Sequence, residues 1–550
     1  MLALAVALFG CLALPGSNPD RAGSPAVGPA TGDTNPALRG QLKDGGELRI
    51  AMTGRPAEWN PWHRDATWST AVEALDPVLP HYWTSDEHGV LSRDPHYLAG
   101  EEVVSTDPLV VRLRLNPAAV WADGHPMTWE DIAAPLTACR TDLTADGPAL
   151  GLARAATVLP CADTVGPSRI AGVERGGDEH EAVISFTGAY PQWRDLVSAP
   201  GRAELFADPT GFSWTHPDVR AQAGPFVVEQ WDPATGVLSE RRNARWWGEP
   251  AVLDRLTFRW VPTALQARAF VNNEVDVVAT GLGTSAAAKV LGVADGAIRT
   301  CPGQAQRTLV FRQDGLLASA DLRRAVALAV DRDTLASLDV GGTGSDSSPI
   351  HNRFLAPSEP GHRDNSAALG PLGDTDAARR LLAADGWSDD PVRRRGGTEL
   401  RLEYLWSTDD PVGAQDARAL QAQLGAVGIG LVPVEVGAAE FAARVRAGDF
   451  ELAALNLPAG VRPELWFRSD SAVNLTGVGD AQLDAWLDQL GAGPRLEAET
   501  ANRVDEWLWA EAVTLPLYVV PDAVGTRASV ANYGASGRAS VRWDVVGFLR

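Results

Sequence analysis

One stretch, Gly224–Ala279, constrains this chain more than any other. Within it, Phe226–Trp231 and Val237–Arg241 are short runs rich in β-branched and aromatic residues, split by Asp-Pro-Ala-Thr-Gly. Proline fixes one turn dihedral, aspartate folds back onto nearby amides and glycine supplies φ > 0, so the pattern predicts a hairpin. Leu256–Val261 alternates as a strand, Pro262-Thr263 opens an apolar-periodic helix over Ala264–Val271, and Val275–Ala279 is a short strand of buried type. Strand, helix and strand with short joints make a βαβ unit, which brings a parallel sheet with it.

The order of these pieces resembles the family 5 extracellular solute-binding proteins, the peptide- and nickel-binding components of ABC importers. The residues that carry the likeness are Gly224-Pro225-Phe226, Arg242-Asn243, Trp246-Trp247-Gly248, Leu253-Asp254 and Val275-Asp276-Val277. A second likeness is Trp121-Ala122-Asp123-Gly124-His125-Pro126-Met127-Thr128-Trp129-Glu130-Asp131. There Asp123-Gly124 makes a turn, Thr128 can cap the next helix, and Glu130 and Asp131 sit in its first turn, where the helix dipole favours anions. That motif reads as structural. Further matches run from the strand Glu47–Met52 and Asn60-Pro61 through the helices Ser319–Val330 and Asp374–Gly386 to the crossing strand Leu515–Pro521.

The resemblance implies an α/β, periplasmic-binding-protein-like fold of type II: two lobes, an extra inserted subdomain, and a ligand cleft that closes by hinge motion. Residues 47–84, 211–305 and 516–550 are expected as lobe I, 85–210 as its inserted subdomain and 306–515 as lobe II. It also implies an extracytoplasmic, monomeric receptor that hands an oligopeptide-like or other organic solute to an inner-membrane ABC permease.

The N-terminus reads the same way. Leu8-Phe9-Gly10-Cys11 looks like a lipobox with Cys11 as the acylated residue, although no Lys or Arg precedes the apolar run. Residues 12–46 carry many prolines and glycines and read as a disordered tether to the outer face of the membrane. Among the other cysteines, Cys139 and Cys161 are the nearest pair for a disulfide in an exported protein, leaving Cys301 alone.

At 550 residues the chain is long enough for several cores, and its formal net charge of −22 repels nucleic acid. Gly281-Leu282-Gly283-Thr284-Ser285-Ala286 mimics a dinucleotide fingerprint, but no acidic residue follows on a strand about twenty residues later. No nucleophile elbow, zinc-protease helix or histidine pair at ligand spacing is present, so neither an enzyme, a cofactor nor a metal site is expected.

By the resemblance, Asn60, Trp62, Trp406, Asn456, Leu457 and Trp466 face the cleft. Peptide-binding members carry an aspartate after the strand matching Phe450–Leu455, where it meets the peptide's ammonium group. Here that segment reads Asn456-Leu457-Pro458-Ala459-Gly460-Val461-Arg462-Pro463-Glu464, with no aspartate. An unpaired buried ammonium is costly, so an acid-free cleft argues against ordinary free-amino peptides. The long tether, the Trp121-Ala122-Asp123-Gly124-His125-Pro126 form and the aspartate-free segment after Leu455 also look like an actinobacterial LpqW-like branch. That branch is tied to phosphatidylinositol mannoside assembly, and it makes a non-transport envelope role the alternative.

Overall fold

The computed structural model describes residues 32–68, 70–87, 89–140, 159–190, 192–207, 211–279, 284–340, 349–357, 359–458, 463–492 and 497–550. Cys11 and the fingerprint-like glycines 281 and 283 lie outside them.

A ten-stranded sheet runs through both lobes. Its order is Gly430–Val436, Arg401–Ser407, Leu452–Pro458, Gly296–Phe311, Thr514–Arg527, Val277–Ala279, Glu47–Met52, Arg255–Trp260, Val237–Arg242, Phe226–Asp232. The predicted hairpin forms, with Asp232 accepting from Ala234 N (2.9 Å) and Thr235 Oγ1 (2.7 Å) and Gly236 at φ +65° closing the turn. The βαβ unit forms too, but its strands are not neighbours. Glu47–Met52 lies between Arg255–Trp260 and Val277–Ala279, parallel to both.

Two long strands join the lobes. Gly296–Phe311 pairs antiparallel with Thr514–Arg527 along nearly its whole length, and the register slips between Cys301 and Ala305. At that slip Gly303 lies against the Val520 carbonyl, where any Cβ would collide with it. The segment Gly296–Cys301 with Asp522–Arg527 belongs to the lobe I side of the sheet, beside Val277–Ala279, and Ala305–Phe311 with Thr514–Val520 to the lobe II side, beside Leu452–Pro458. The crossing is therefore the connection about which the lobes can turn.

Each lobe buries its own core. Leu48, Ile50, Phe226, Leu256 and Phe258 pack lobe I; Leu309, Phe311, Val326, Leu402, Leu420 and Leu515 pack lobe II. The inserted subdomain is an antiparallel sheet ordered Leu98–Thr106, Leu109–Leu115, Glu181–Phe186, Ile170–Arg175, backed by helix Trp129–Ala138 and cored by Val111, Leu113, Ile132 and Ile184. The structural reading of its motif fits: the buried Asp131 carboxylate accepts from Thr128 N (3.0 Å), Trp121 Nε1 (3.1 Å) and Ala203 N (3.0 Å).

The expected pairing of Cys139 with Cys161 is present as a disulfide, with Cα atoms 5.6 Å apart, and Cys301 is free and buried. Residues 32–46, expected as the end of a free tether, instead lie along lobe I. Asp33 bridges to Ala535 and Leu42 to Leu549, and Leu42 is buried beside Val252 and Ala531. Asn532 and Asn35 hold the strap by side-chain bonds to its backbone and to Val530 O. A glycine- and proline-rich composition hides this, because the strap is fixed by partners near the other end of the chain.

Candidate interlobe binding site

A cavity between the lobes holds about 710 Å³ of empty space, part of it open to solvent. Lobe I contributes Thr53, Gly54 and Thr70. Lobe II contributes Arg307, Ser407, Asp409, Asp410 and Asn456 on one side and Ala438, Phe441, Ala442, Val445 and Leu455 on the other. The site is thus a polar floor beside an apolar pocket, the arrangement that orients a small ligand by charge while burying its apolar part.

Secondary structure explains the placement. Arg307 is on the crossing strand just after the slip, so its side chain meets the loop that follows strand Arg401–Ser407. That loop turns on Asp410, whose Oδ1 accepts from Val412 N (3.1 Å) and leads into helix Gly413–Gly425. The apolar wall comes from one face of helix Ala438–Ala447, whose Phe441 and Val445 are four apart and so stand one above the other.

The floor is a buried charge network. Arg307, only 2% exposed, donates from Nη2 to Asp410 Oδ2 (2.7 Å) and Asp416 Oδ2, and from Nε to Asp416 Oδ2 (3.2 Å). Its Nη1 reaches Asn456 Oδ1 at 3.5 Å. Behind them the buried Asp339 accepts from Tyr518 Oη (2.5 Å) and Gln415 Nε2 (2.9 Å). Burial opposes the charge on Asp410, but the Arg307 guanidinium outweighs it and holds that carboxyl below the usual range. Asp416 and Asp339 go the other way. Burial, and for Asp416 also the neighbouring carboxylates, push both upward despite Arg307.

Contacts cross the cleft around this cavity. Arg446 of lobe II meets Asp65 of lobe I at 3.0 Å, and Thr263 Oγ1 donates to Asp409 O at 3.0 Å. Arg169 of the inserted subdomain reaches Asp488 of lobe II at 2.6 Å.

Of the six residues read as facing the cleft, Asn456 lines this cavity. Asn60 is 1% exposed, accepting from Trp62 N in its own loop (3.0 Å) and donating to the distant Phe212 O (2.5 Å). Trp62 stacks edge-on with Phe206 and Trp214 where lobe I meets the inserted subdomain. Trp406 is in the lobe II core, its indole closed over by Gly413. Leu457 pairs with Gln306 in the sheet and packs with the Leu455 cluster, and Trp466 packs between that cluster and Phe467. The segment after strand Leu452–Pro458 carries no aspartate, and the acids of the cavity, Asp409 and Asp410, come from a different loop. Asp-Asp-Pro after an apolar strand was the available signal.

The comparisons now bear directly on this fold and cleft. Residues 95–470 match the model of the bacterial extracellular solute-binding proteins, family 5 (middle region). The chain belongs to that family. The oligopeptide-binding protein OppA of Mycobacterium tuberculosis is 32% identical over 543 residues, 96% of this chain and 88% of that one. The M. tuberculosis probable monoacyl phosphatidylinositol tetramannoside-binding protein LpqW is 27% identical over 306 residues, 54% of this chain and 44% of its own. Among solved structures, the oligopeptide-binding protein AppA of Bacillus subtilis, in complex with a nonapeptide, superposes with a TM-score of 0.77 at 14% identity, over 92% of this chain and 100% of that one. The family's two-lobed fold with its extra subdomain is the fold seen here. No described helix is long and apolar enough to cross a membrane.

Proposed function

We propose that this protein is the solute receptor of an ABC import system and closes its lobes on an oligopeptide-like ligand. The observation that carries the reading is the interlobe cavity, whose walls come from both lobes and whose floor presents Asp410 beside an apolar pocket. A cationic group of the ligand meets Asp409, Asp410 and Asn456, and its adjoining apolar side chain lies against Phe441, Ala442 and Val445. The family membership and the 32% identity to an oligopeptide-binding protein support this, and both favour binding over catalysis. Acylation at Cys11, a monomeric state, docking to an inner-membrane permease and residence on the outer face of the membrane complete the proposal.

The likeness to LpqW favours a second reading, an accessory lipoprotein of envelope glycolipid assembly. Sugar rings are gripped by stacking on indoles, and Phe441 is the one aromatic side chain lining the cavity among the described residues. The peptide reading is the better supported of the two. Native mass spectrometry separates them. The protein is incubated with a tryptic digest of casein and, separately, with actinobacterial envelope lipids, then desalted. Retained peptide mass in the wild type, lost in Asp410→Asn, supports the receptor. Retention of lipid alone supports the second reading.

A further inference from the structure

Two ion pairs join bodies that part when the cleft opens. At the first, Arg169 of the inserted subdomain donates from Nη2 to Asp488 Oδ1 at 2.6 Å, on the lobe II helix Ala481–Ala492. The same oxygen accepts from Nη1 of Arg468, which is lobe II's own. Asp488 therefore keeps a counter-charge when Arg169 leaves. At the second, Arg446 of lobe II meets Asp65 of lobe I at 3.0 Å, with side chains 31% and 33% exposed. Water solvates both ends when such a pair separates, so it makes and breaks readily, unlike the buried Arg307 pairs.

Asp65 is held in place from the inserted subdomain. Helix Trp129–Ala138 ends at Cys139, whose disulfide partner Cys161 forms an antiparallel bridge with His63. Arg64 N donates to Pro160 O (2.8 Å) and Ala162 N to Trp62 O (2.9 Å), so backbone bonds on both sides of that bridge fix residues 62–64. His63 passes the constraint on: its Nδ1 accepts from Asp65 N (3.1 Å) and its carbonyl from Ala66 N (2.9 Å). The bridge is two residues from the carboxylate that crosses the cleft. On the other side, Arg446 follows Val445 on helix Ala438–Ala447, whose Phe441 and Val445 wall the cavity. A ligand group on that wall and the Asp65 contact therefore act on one helix.

We propose that the inserted subdomain is part of the closing machinery of the cleft. It grips lobe II through Arg169 and Asp488, and through the Cys139–Cys161 disulfide it positions Asp65 to hold Arg446. This rests on the reading of the cavity as the ligand site. Asp65, Asp488 and the two cysteines line no part of that cavity and are positioning groups. They set the fraction of the protein that is closed, and apparent affinity follows that fraction. The disulfide then does more than stabilise the subdomain. Its loss frees the loop that carries Asp65 and loosens the grip on ligand while the lobes stay folded.

The test is a titration of the whole protein with a tryptic digest of casein, read by native mass spectrometry as the digest concentration at which half the protein carries peptide. Asp65→Asn and Arg169→Gln are each expected to raise that midpoint about threefold, and Asp65→Arg, which sets two cations face to face, about tenfold. Adding Arg446→Asp to Asp65→Arg should return the midpoint to within about twofold of the wild type, a rescue that a merely structural role for Asp65 does not give. Replacing Cys139 and Cys161 by serine should raise it as much as Asp65→Asn does, and no further when combined with Asp65→Asn. Arg169, Asp65 and Arg446 are between 31% and 39% exposed, so their variants keep the fold and decide the question even where the cysteine variant unfolds. Midpoints unmoved in the Asp65 and Arg169 variants overturn the inference and leave the peptide site standing. Cysteine and Asp65 effects that multiply overturn the disulfide as the positioner of Asp65. A wild type that retains no casein peptide overturns the site reading and the closing machinery together.

Discussion

Removing the Arg307 charge is the sharpest perturbation of this cleft. The guanidinium is 2% exposed and is the partner of Asp410 and Asp416 at once, with Asn456 at the edge of reach. Arg307→Leu fills most of the same space but leaves the buried Asp410 and Asp416 with no counter-charge. Breaking a buried ion pair from one side destabilises by about 3–5 kcal/mol, because the remaining charges keep their desolvation penalty. With a urea slope of about 3 kcal/mol/M for a lobe of this size, the midpoint of lobe II falls by about 1–2 M. Tryptophan fluorescence reports it, since Trp406 and Trp509 are in that core. Adding Asp416→Asn to Arg307→Leu should recover a large part of the loss, and the loss should shrink towards pH 4 as the carboxyls protonate. A midpoint within about 0.3 M of the wild type would refute the account of the floor as a charge network. So would a double variant weaker than the single one.

Other expectations test other parts. Replacing Cys139 and Cys161 by serine opens a loop of sequence separation 22 and should lower the stability of the inserted subdomain by about 3 kcal/mol, read by hydrogen exchange of helix Trp129–Ala138. Burial, with Asp522 and Asp76 nearby, pushes Glu73 up to about 8, and burial pushes Asp522 up to about 6. A raised carboxyl stabilises the fold fully below its unfolded value near 4.5, and that stability is lost as pH rises through about 8. The melting temperature of Glu73→Gln should therefore gain on the wild type between pH 5 and pH 8; a constant difference contradicts this. Gly303→Val forces a side chain onto the Val520 carbonyl at the crossing, and a loss of about 2 kcal/mol or more is expected by thermal unfolding.

Local chemistry was legible and assembly was not. The hairpin, the strands around it and the α/β alternation of lobe II follow from periodicity and turn residues that act over a few positions. The wider family likeness, not local pattern, implied a crossing strand at Leu515–Pro521 and an inserted subdomain. The parallel order with Glu47–Met52 inside the βαβ unit depends on a partner some two hundred residues away, which no local pattern encodes. The strap over residues 32–46 was missed for the same reason. In the cleft, Asn456 lines the cavity from a strand that periodicity alone shows. Trp62 and Trp406 were read as ligand platforms because indoles serve that purpose, but Trp62 packs edge-on against Phe206 and Trp214 away from the interlobe cavity, and Gly413 closes over Trp406 in the lobe II core. Arg307, buried in a β-strand, gave no signal at all. A charged residue flanked by Ala305, Gln306 and Thr308 reads as a solvent-facing position until two distant carboxyls, Asp410 and Asp416, converge on it.

Hydrogen–deuterium exchange with and without a casein digest tests the central claim most directly. The account predicts protection on both sides of the cleft together: around Thr53 and Thr70 in lobe I, and over Ser407–Asp410, Ala438–Val445 and Ala454–Asn456 in lobe II. Bound peptide that protects only one lobe, or only the inserted subdomain, would contradict it.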